Sequence, residues 1–258
     1  MLTISDIKER LQKVDQKNFD ILERSLAADT RKGVQNALKA TKARLETEHL
    51  EEMRLQKMYD FEHGLCDGGV CVGMDEVGRG PIAGPLAIGA VVLPPNPMIQ
   101  KLNDSKKIKE ALREEIALEI KKHALAWNVQ YIEAEEIDAA GMSICLRMAF
   151  TRALQAIEAK GIPFDKVLVD GNPLGIDSRE INVIKGDGCC ASIAAASIVA
   201  KVERDHLMKE YARQFPQYGF DSCKGYASSE HIAALKKYGF SPIHRKSFCT
   251  NFFQETLF

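Results

Sequence analysis

Apolar residues recur at helical spacing from the start of the chain, with Leu2, Ile4, Ile7, Leu11 and Val14 falling on one face. As far as residue 63 the sequence has no proline and one glycine, Gly33, among dense Lys, Arg, Glu, Gln and Leu. This pattern predicts an all-helical segment. The stretch Ala27-Ala28-Asp29-Thr30-Arg31-Lys32-Gly33 breaks the periodicity, so two or three helices in a hairpin are expected rather than one rod. Gly64, Gly68 and Gly69 then mark a linker. The expected organisation is a helical extension with its glycine linker over 1–69 and a second domain over 70–258.

From Val70 the pattern changes to short β-rich runs between helices. Strands are predicted over 71–76, 86–93, 127–133, 166–170 and 181–184, and helices over 108–126, 142–160, 192–214 and 229–238. Breakers such as Gly161-Ile162-Pro163 separate them. Three early strands followed by two that alternate with helices predict a mixed α/β sheet of five strands, with a helical region at the C-terminus.

Composition narrows the class. A chain of 258 residues with 45% hydrophobic content can fill a real core, and its formal charge of -1 means that any nucleic-acid surface must be local. The first ten residues carry charges and no apolar core, unlike a secretory signal. The longest apolar run, 85–95, is far short of the roughly 20 residues a membrane helix needs. Seven cysteines without a C-x-x-C pair suit reduced thiols, and adjacent Cys189 and Cys190 read as small buried hydrophobes at a helix start. A cytoplasmic monomer with no membrane contact is expected.

Candidate chemistry lies at the strand ends. Asp75 and Glu76 follow an apolar strand start, Asp170 closes Val167-Leu168-Val169, and Asp187 follows Ile184-Lys185-Gly186. Singly, each acid reads as a turn residue or helix cap. Together, acids at three strand ends form an oxygen-rich set suited to Mg²⁺ or Mn²⁺, and a pair of such ions suits phosphodiester cleavage. Neighbours on a strand point to opposite faces, so Asp75 and Glu76 can share a site only if the strand ends or bulges there, which Gly78 and Gly80 would allow.

The loop Gly78-Arg79-Gly80-Pro81-Ile82-Ala83-Gly84 fails the dinucleotide fingerprint, whose spacing is G-x-G-x-x-G, and has no Walker lysine. It still permits close approach of backbone to a ligand, with Arg79 able to meet phosphate. Lys106 and Lys107 in Asp104-Ser105-Lys106-Lys107, and Lys201 in Lys201-Val202-Glu203-Arg204-Asp205, supply local positive charge. Tyr226 in Lys224-Gly225-Tyr226 sets an aromatic among basic groups, which suits stacking beside phosphate contacts.

Over about residues 70–248 these motifs stand in one order: Gly73 to Pro81, Asp104 to Lys107, Val169-Asp170-Gly171, Lys185-Gly186-Asp187, Ala194 to Lys201, and Lys224-Gly225-Tyr226. In this combination the chain resembles ribonuclease HII, of the type 2 ribonuclease H family. Arg79 in the glycine loop favours that branch over ribonuclease HIII, and Ile108, where leucine is common, is a minor departure. The resemblance implies a ribonuclease H-like fold and four metal-binding catalytic acids, Asp75, Glu76, Asp170 and Asp187. It implies that Gly78, Arg79, Gly80 and Tyr226 read the ribonucleotide, with Lys106, Lys107 and Lys201 as further substrate contacts.

The activity it implies is cleavage of RNA-DNA hybrids and of duplex DNA 5′ to a single ribonucleotide, leaving a 3′-hydroxyl and a 5′-phosphate, as ribonucleotide excision repair requires. A two-metal DNA nuclease and a catalytically silent hybrid-binding module are the alternatives. Residues 1–69 lie outside the resemblance.

Overall fold

Three helices open the chain: α1 (Ile4–Gln12), α2 (Gln16–Ser25) and α3 (Lys32–Leu65). Helix α1 starts where Thr3 and Asp6 cap each other reciprocally, and the Asp15 carboxylate accepts the Asn18 N–H at the start of α2. Ile7, Leu11, Phe19, Val34, Leu38 and Leu45 form a small core, whereas Leu2, placed on the same face by its spacing, is exposed. The break expected before Gly33 is the turn between α2 and α3, so the prediction resolves to three helices.

This computed structural model describes residues 2–252, and the chain divides into compact units Met1–Gln56 and Lys57–Phe258, the division falling within α3.

The second unit carries strands β1 (Cys71–Val77), β2 (Leu86–Val92), β3 (Ala126–Ile132), β4 (Lys166–Asp170) and β5 (Glu180–Val183). They form one mixed sheet in the order β3-β2-β1-β4-β5, with β2 antiparallel to β1 and β3, and β4 parallel to β1 and β5. Its helices are α4 (Glu110–His123), α5 (Ala134–Ala140), α6 (Met142–Glu158), α7 (Ala191–Gln214), α8 (Phe220–Cys223) and α9 (Ser229–Tyr238).

The two faces of the sheet are covered differently. Val72, Met74, Ile88 and Ala90 pack against Cys145, Ala149, Phe150 and Ala153 of α6 in the main apolar core. On the other face α7 lies directly on backbone: a Cβ at Gly73 would sit 2.2 Å from the Ser192 carbonyl carbon, and one at Gly89 would sit 2.2 Å from the Ala196 oxygen. Glycine at these two positions lets a helix of alanines and serines sink into the sheet, and α7 is buried from Ala191 to Ala200.

The helix expected over 108–126 stops at His123, because Ala124 turns to extended backbone and Leu125 donates its N–H to the Val92 carbonyl, which starts β3. Helices α5 and α8 were not foreseen, being 7 and 4 residues long and too short to show a period.

Candidate active site

The site assembles from the ends of β1 and β4. The parallel register pairs Met74 with Val169, so Asp75 and Asp170, the next residues, stand side by side. Asp187 sits in a short 3-10 turn after β5, and the neighbouring Gly186 N–H donates to the Asp170 carboxylate at 2.6 Å. Asp170, Asp187, Asp104, Lys106, Lys107 and Lys185 line one open cleft.

Strand β1 neither ends nor bulges at Glu76, contrary to the expectation for a shared site; its pairing with β2 runs on in register to Val77. Alternation therefore starts the two side chains on opposite faces, but β1 runs past its last pair with β4 here, and both acids stand near enough to Asp170 for its charge to raise each of them. Asp75 lies on the α7 side and hydrogen-bonds Ser197, while Glu76 meets Arg79 at 3.4 Å. Ser197 Oγ is in turn 3.0 Å from Ser105 Oγ, which ties Asp75, α7 and the loop bearing Lys106 and Lys107 into one polar chain.

Burial pushes the Asp75 carboxyl up to about 8, with the charges of Asp170 and Glu76 adding to it against the Ser197 hydrogen bond. Glu76 is raised by burial, and Asp187 by burial and by the charges of Asp104 and Asp170. Among the described residues no three such side chains surround a single point at ligating distance. The donor set nonetheless suits a hard divalent cation. All four groups are carboxylates, three of them are driven toward the neutral form by burial, and a dication supplies the missing counter-charge.

The other predicted residues separate into three groups. Lys106 and Lys107 are exposed at the cleft, with Lys106 4.0 Å from Asp187, whereas Lys201 is largely buried and bonded to Asp205 at 2.5 Å. Arg79, Gly80 and Tyr226 form an exposed ledge, on which a Cβ at Gly80 would stand 3.9 Å from the Tyr226 ring. The Gly225 carbonyl accepts the N–H groups of Ile82 and Ala83, holding the loop and the tyrosine segment together.

Beneath Tyr226 lies a relay of two buried histidines. The Ser241 N–H can only donate, so His244 Nδ1 accepts it at 2.9 Å and the His244 proton sits on Nε2. That proton faces His231 Nε2 at 3.1 Å, leaving His231 Nδ1–H to donate to the Tyr226 carbonyl at 2.8 Å. Both rings are thus neutral in defined tautomers.

Ser105 and Ser197 are not among the residues that sequence reasoning singles out, although they lie within the motifs Asp104 to Lys107 and Ala194 to Lys201. The available signal was a hydroxyl on an otherwise apolar helix face at Ser197. Arg204 and Arg245, both fully buried, were also missed.

Residues 72–251 match the family model described as ribonuclease HII, and residues 3–66, which the resemblance left out, match that of the ribonuclease HII N-terminal domain. The ribonuclease HII of Archaeoglobus fulgidus, solved in complex with PCNA, is 27% identical over 72% of this chain and 98% of its own, with a TM-score of 0.61. Ribonuclease H2 from Pyrococcus horikoshii is 26% identical over 72% of this chain and all of its own, with a TM-score of 0.60. Bst-RNase HIII, solved with Mn²⁺, shares the fold at 19% identity, covering 69% of this chain and 64% of its own, with a TM-score of 0.56.

Proposed function

The chain belongs to the ribonuclease HII family and is a ribonuclease H, and from that premise we propose that it cuts RNA in RNA-DNA hybrids and duplex DNA 5′ to a single ribonucleotide. The observation that carries this reading is the side-by-side placement of Asp75 and Asp170, with Asp187 joined through the bond from Gly186 to Asp170.

Asp75, Glu76, Asp170 and Asp187 are the residues assigned to hold Mg²⁺ or Mn²⁺. When bound, such ions supply an activated water and stabilise the leaving 3′-oxygen, which yields a 3′-hydroxyl and a 5′-phosphate. The protein's own part is positional. Ser197 orients Asp75, Ser105 ties the lysine loop to Ser197, and Lys106 and Lys107 stand where a phosphate would approach the cleft. Gly80 leaves room beside Tyr226 for a sugar, whose 2′-hydroxyl distinguishes RNA from DNA.

All of these residues belong to one unit of one chain, so the proposed site needs no residue from a second copy. No helix among the described residues is long and apolar enough to cross a membrane. Cleavage at lone ribonucleotides would place the enzyme at the first cut of ribonucleotide removal.

The test is cleavage of two duplexes that differ by a single ribonucleotide, with Mg²⁺ or Mn²⁺. Metal-dependent cutting of the ribonucleotide duplex alone is expected. Cutting of both duplexes indicates a DNA nuclease, and binding without cutting indicates a silent module. Asp75→Asn and Asp170→Asn should each lower kcat by about a thousandfold or more while leaving the thermal midpoint near wild type. Near-normal turnover in either variant would remove that residue from the site.

A further inference from the structure

Two arginines with no catalytic assignment stand under the glycine loop, both with zero exposure. Arg245 Nε donates to the Gly84 carbonyl at 2.9 Å, Nη1 to those of Arg79 at 3.1 Å and Pro81 at 3.0 Å, and Nη2 to that of Gly78 at 2.7 Å. Its backbone N–H takes the Ile82 carbonyl at 2.8 Å. Arg204 Nε donates to Pro85 at 2.9 Å, Nη2 to Ala83 at 3.3 Å, and Nη1 to the Lys224 carbonyl at 3.0 Å, two residues before Tyr226. From residue 78 to residue 85, every carbonyl except that of Gly80 is thus held by one of these two arginines.

Neither guanidinium has a carboxylate at ion-pair distance among the described residues. Burial and the charge of Arg204 push Arg245 down to about 9. Burying two cations without an acid partner is costly, and apolar side chains would fill the same space without that cost. What apolar side chains cannot do is fix so many carbonyls at once. A planar fork with five N–H groups can, and a flexible ammonium cannot.

We propose that Arg245 and Arg204 are positioning residues that set the 78–85 loop, and Tyr226 beside it, in the geometry that selects the ribonucleotide. The proposal rests on the reading of that loop given above. The single untied carbonyl, Gly80, lies on the exposed ledge, so the clamp fixes the loop from within and leaves its outer edge to the substrate. Two buried positive charges beneath the ledge also favour a phosphate above it.

The experiment compares kcat/KM on a duplex with one ribonucleotide and on a long RNA-DNA hybrid for Arg245→Lys, Arg204→Lys, Arg79→Ala and Tyr226→Ala. The lysine variants keep the charge and lose the fork. They should lose roughly 10- to 100-fold on the single ribonucleotide and clearly less on the long hybrid. Arg245→Ala should regain part of its single-ribonucleotide activity with added methylguanidinium.

Equal losses on both substrates, with no such regain, would show a purely structural role and overturn the proposal. If Arg245→Lys does not fold, Arg204→Lys carries the comparison, because it leaves the Arg245 bonds in place. Altered selectivity in Arg79→Ala and Tyr226→Ala, with wild-type selectivity in folded lysine variants, would sink the clamp alone. Unaltered selectivity in Arg79→Ala and Tyr226→Ala would sink the reading of the loop and the clamp with it.

Discussion

Gly78 and Gly80 are two residues apart and answer to different neighbours. Gly78 has φ +86°, and a Cβ there would lie 2.2 Å from Arg204 Nε, so alanine meets both a disfavoured backbone and a buried guanidinium. Gly80 meets nothing nearer than the Tyr226 ring at 3.9 Å. Gly80→Ala should therefore unfold within a degree or two of wild type yet lose about tenfold or more in kcat/KM, because its methyl group occupies the space assigned to the sugar. Gly78→Ala should be destabilised by about 1–3 kcal/mol. Thermal melts beside kinetics would show it; full activity in Gly80→Ala would mean that substrate does not approach there.

The histidine relay gives a pH prediction at the same scale. Burial, then the neighbouring His231, depress His244 from its ordinary 6.5 to about 4, and burial lowers His231 as well. Between those limits the unfolded chain binds protons that the folded chain refuses, so this contribution is present above about pH 6.5 and lost as pH falls toward 4. Because acids titrate in both proteins alike, comparison with His244→Gln isolates the ring. The wild-type thermal midpoint should fall more steeply than the variant's over that range, and parallel curves would contradict the assigned tautomers.

At the scale of elements, α7 is the keystone, and its N-terminus is capped from far away in sequence. Cys190, the residue at its N-cap position, makes no side-chain cap, and the Glu62 carboxylate near the end of α3 accepts the Ser192 N–H at 2.6 Å and the Cys190 thiol at 3.1 Å. An anion at that end also complements the helix dipole. Glu62→Ala should cost about 1–3 kcal/mol in chemical denaturation and Glu62→Gln less, since the amide oxygen can still accept. An unchanged midpoint in Glu62→Ala would show that water replaces the cap.

That cap also marks where sequence reading stops. Asp75 and Asp170 were legible because each follows an apolar run whose length and composition announce a strand, and α9 is placed to the residue by its period. Arg204, between Glu203 and Asp205, and Arg245, between His244 and Lys246, look like solvated charge, and only pairing across the fold reveals them as buried. Glu62 falls on the helical face of Leu55, Met58 and Cys66, all buried, but as a lone acid among them it gives no sign of which distant backbone it caps. The β1 strand end anticipated at Glu76 failed for a related reason: pairing with β2 outlasts pairing with β4.

The second unit includes the last turns of α3, with Tyr59 Oη accepting the Ile99 N–H at 2.9 Å as well as the Glu62 cap. We propose that the catalytic unit folds without the first two helices and most of the third, and that a chain starting at Lys57 keeps wild-type kcat. One starting at Val70 retains every assigned catalytic residue but loses both bonds, and should melt several degrees lower. Equal melting of the two would show that the end of α3 adds nothing to stability; failure of the longer one to fold would place the N-terminal helices within a single cooperative unit.

The arginine clamp has a consequence for how the protein comes into being. Gly78 and Arg245 are bonded across 167 residues of chain. A ribosome delivers the glycine loop early, and the N-terminal parts of a chain begin to fold while the rest is still being made. The sheet needs nothing beyond Val183 for its five strands, so it can pair while the loop between β1 and β2 still has no anchor. On the clamp proposal, the loop acquires its fixed shape only when Arg245 emerges. On the proposed reading, a product terminated short of that residue would carry Asp75, Glu76 and Asp170 on the paired sheet and Asp187 in the turn after it, yet have no ordered ledge for a ribonucleotide, so selectivity would arise only once Arg245 has been made.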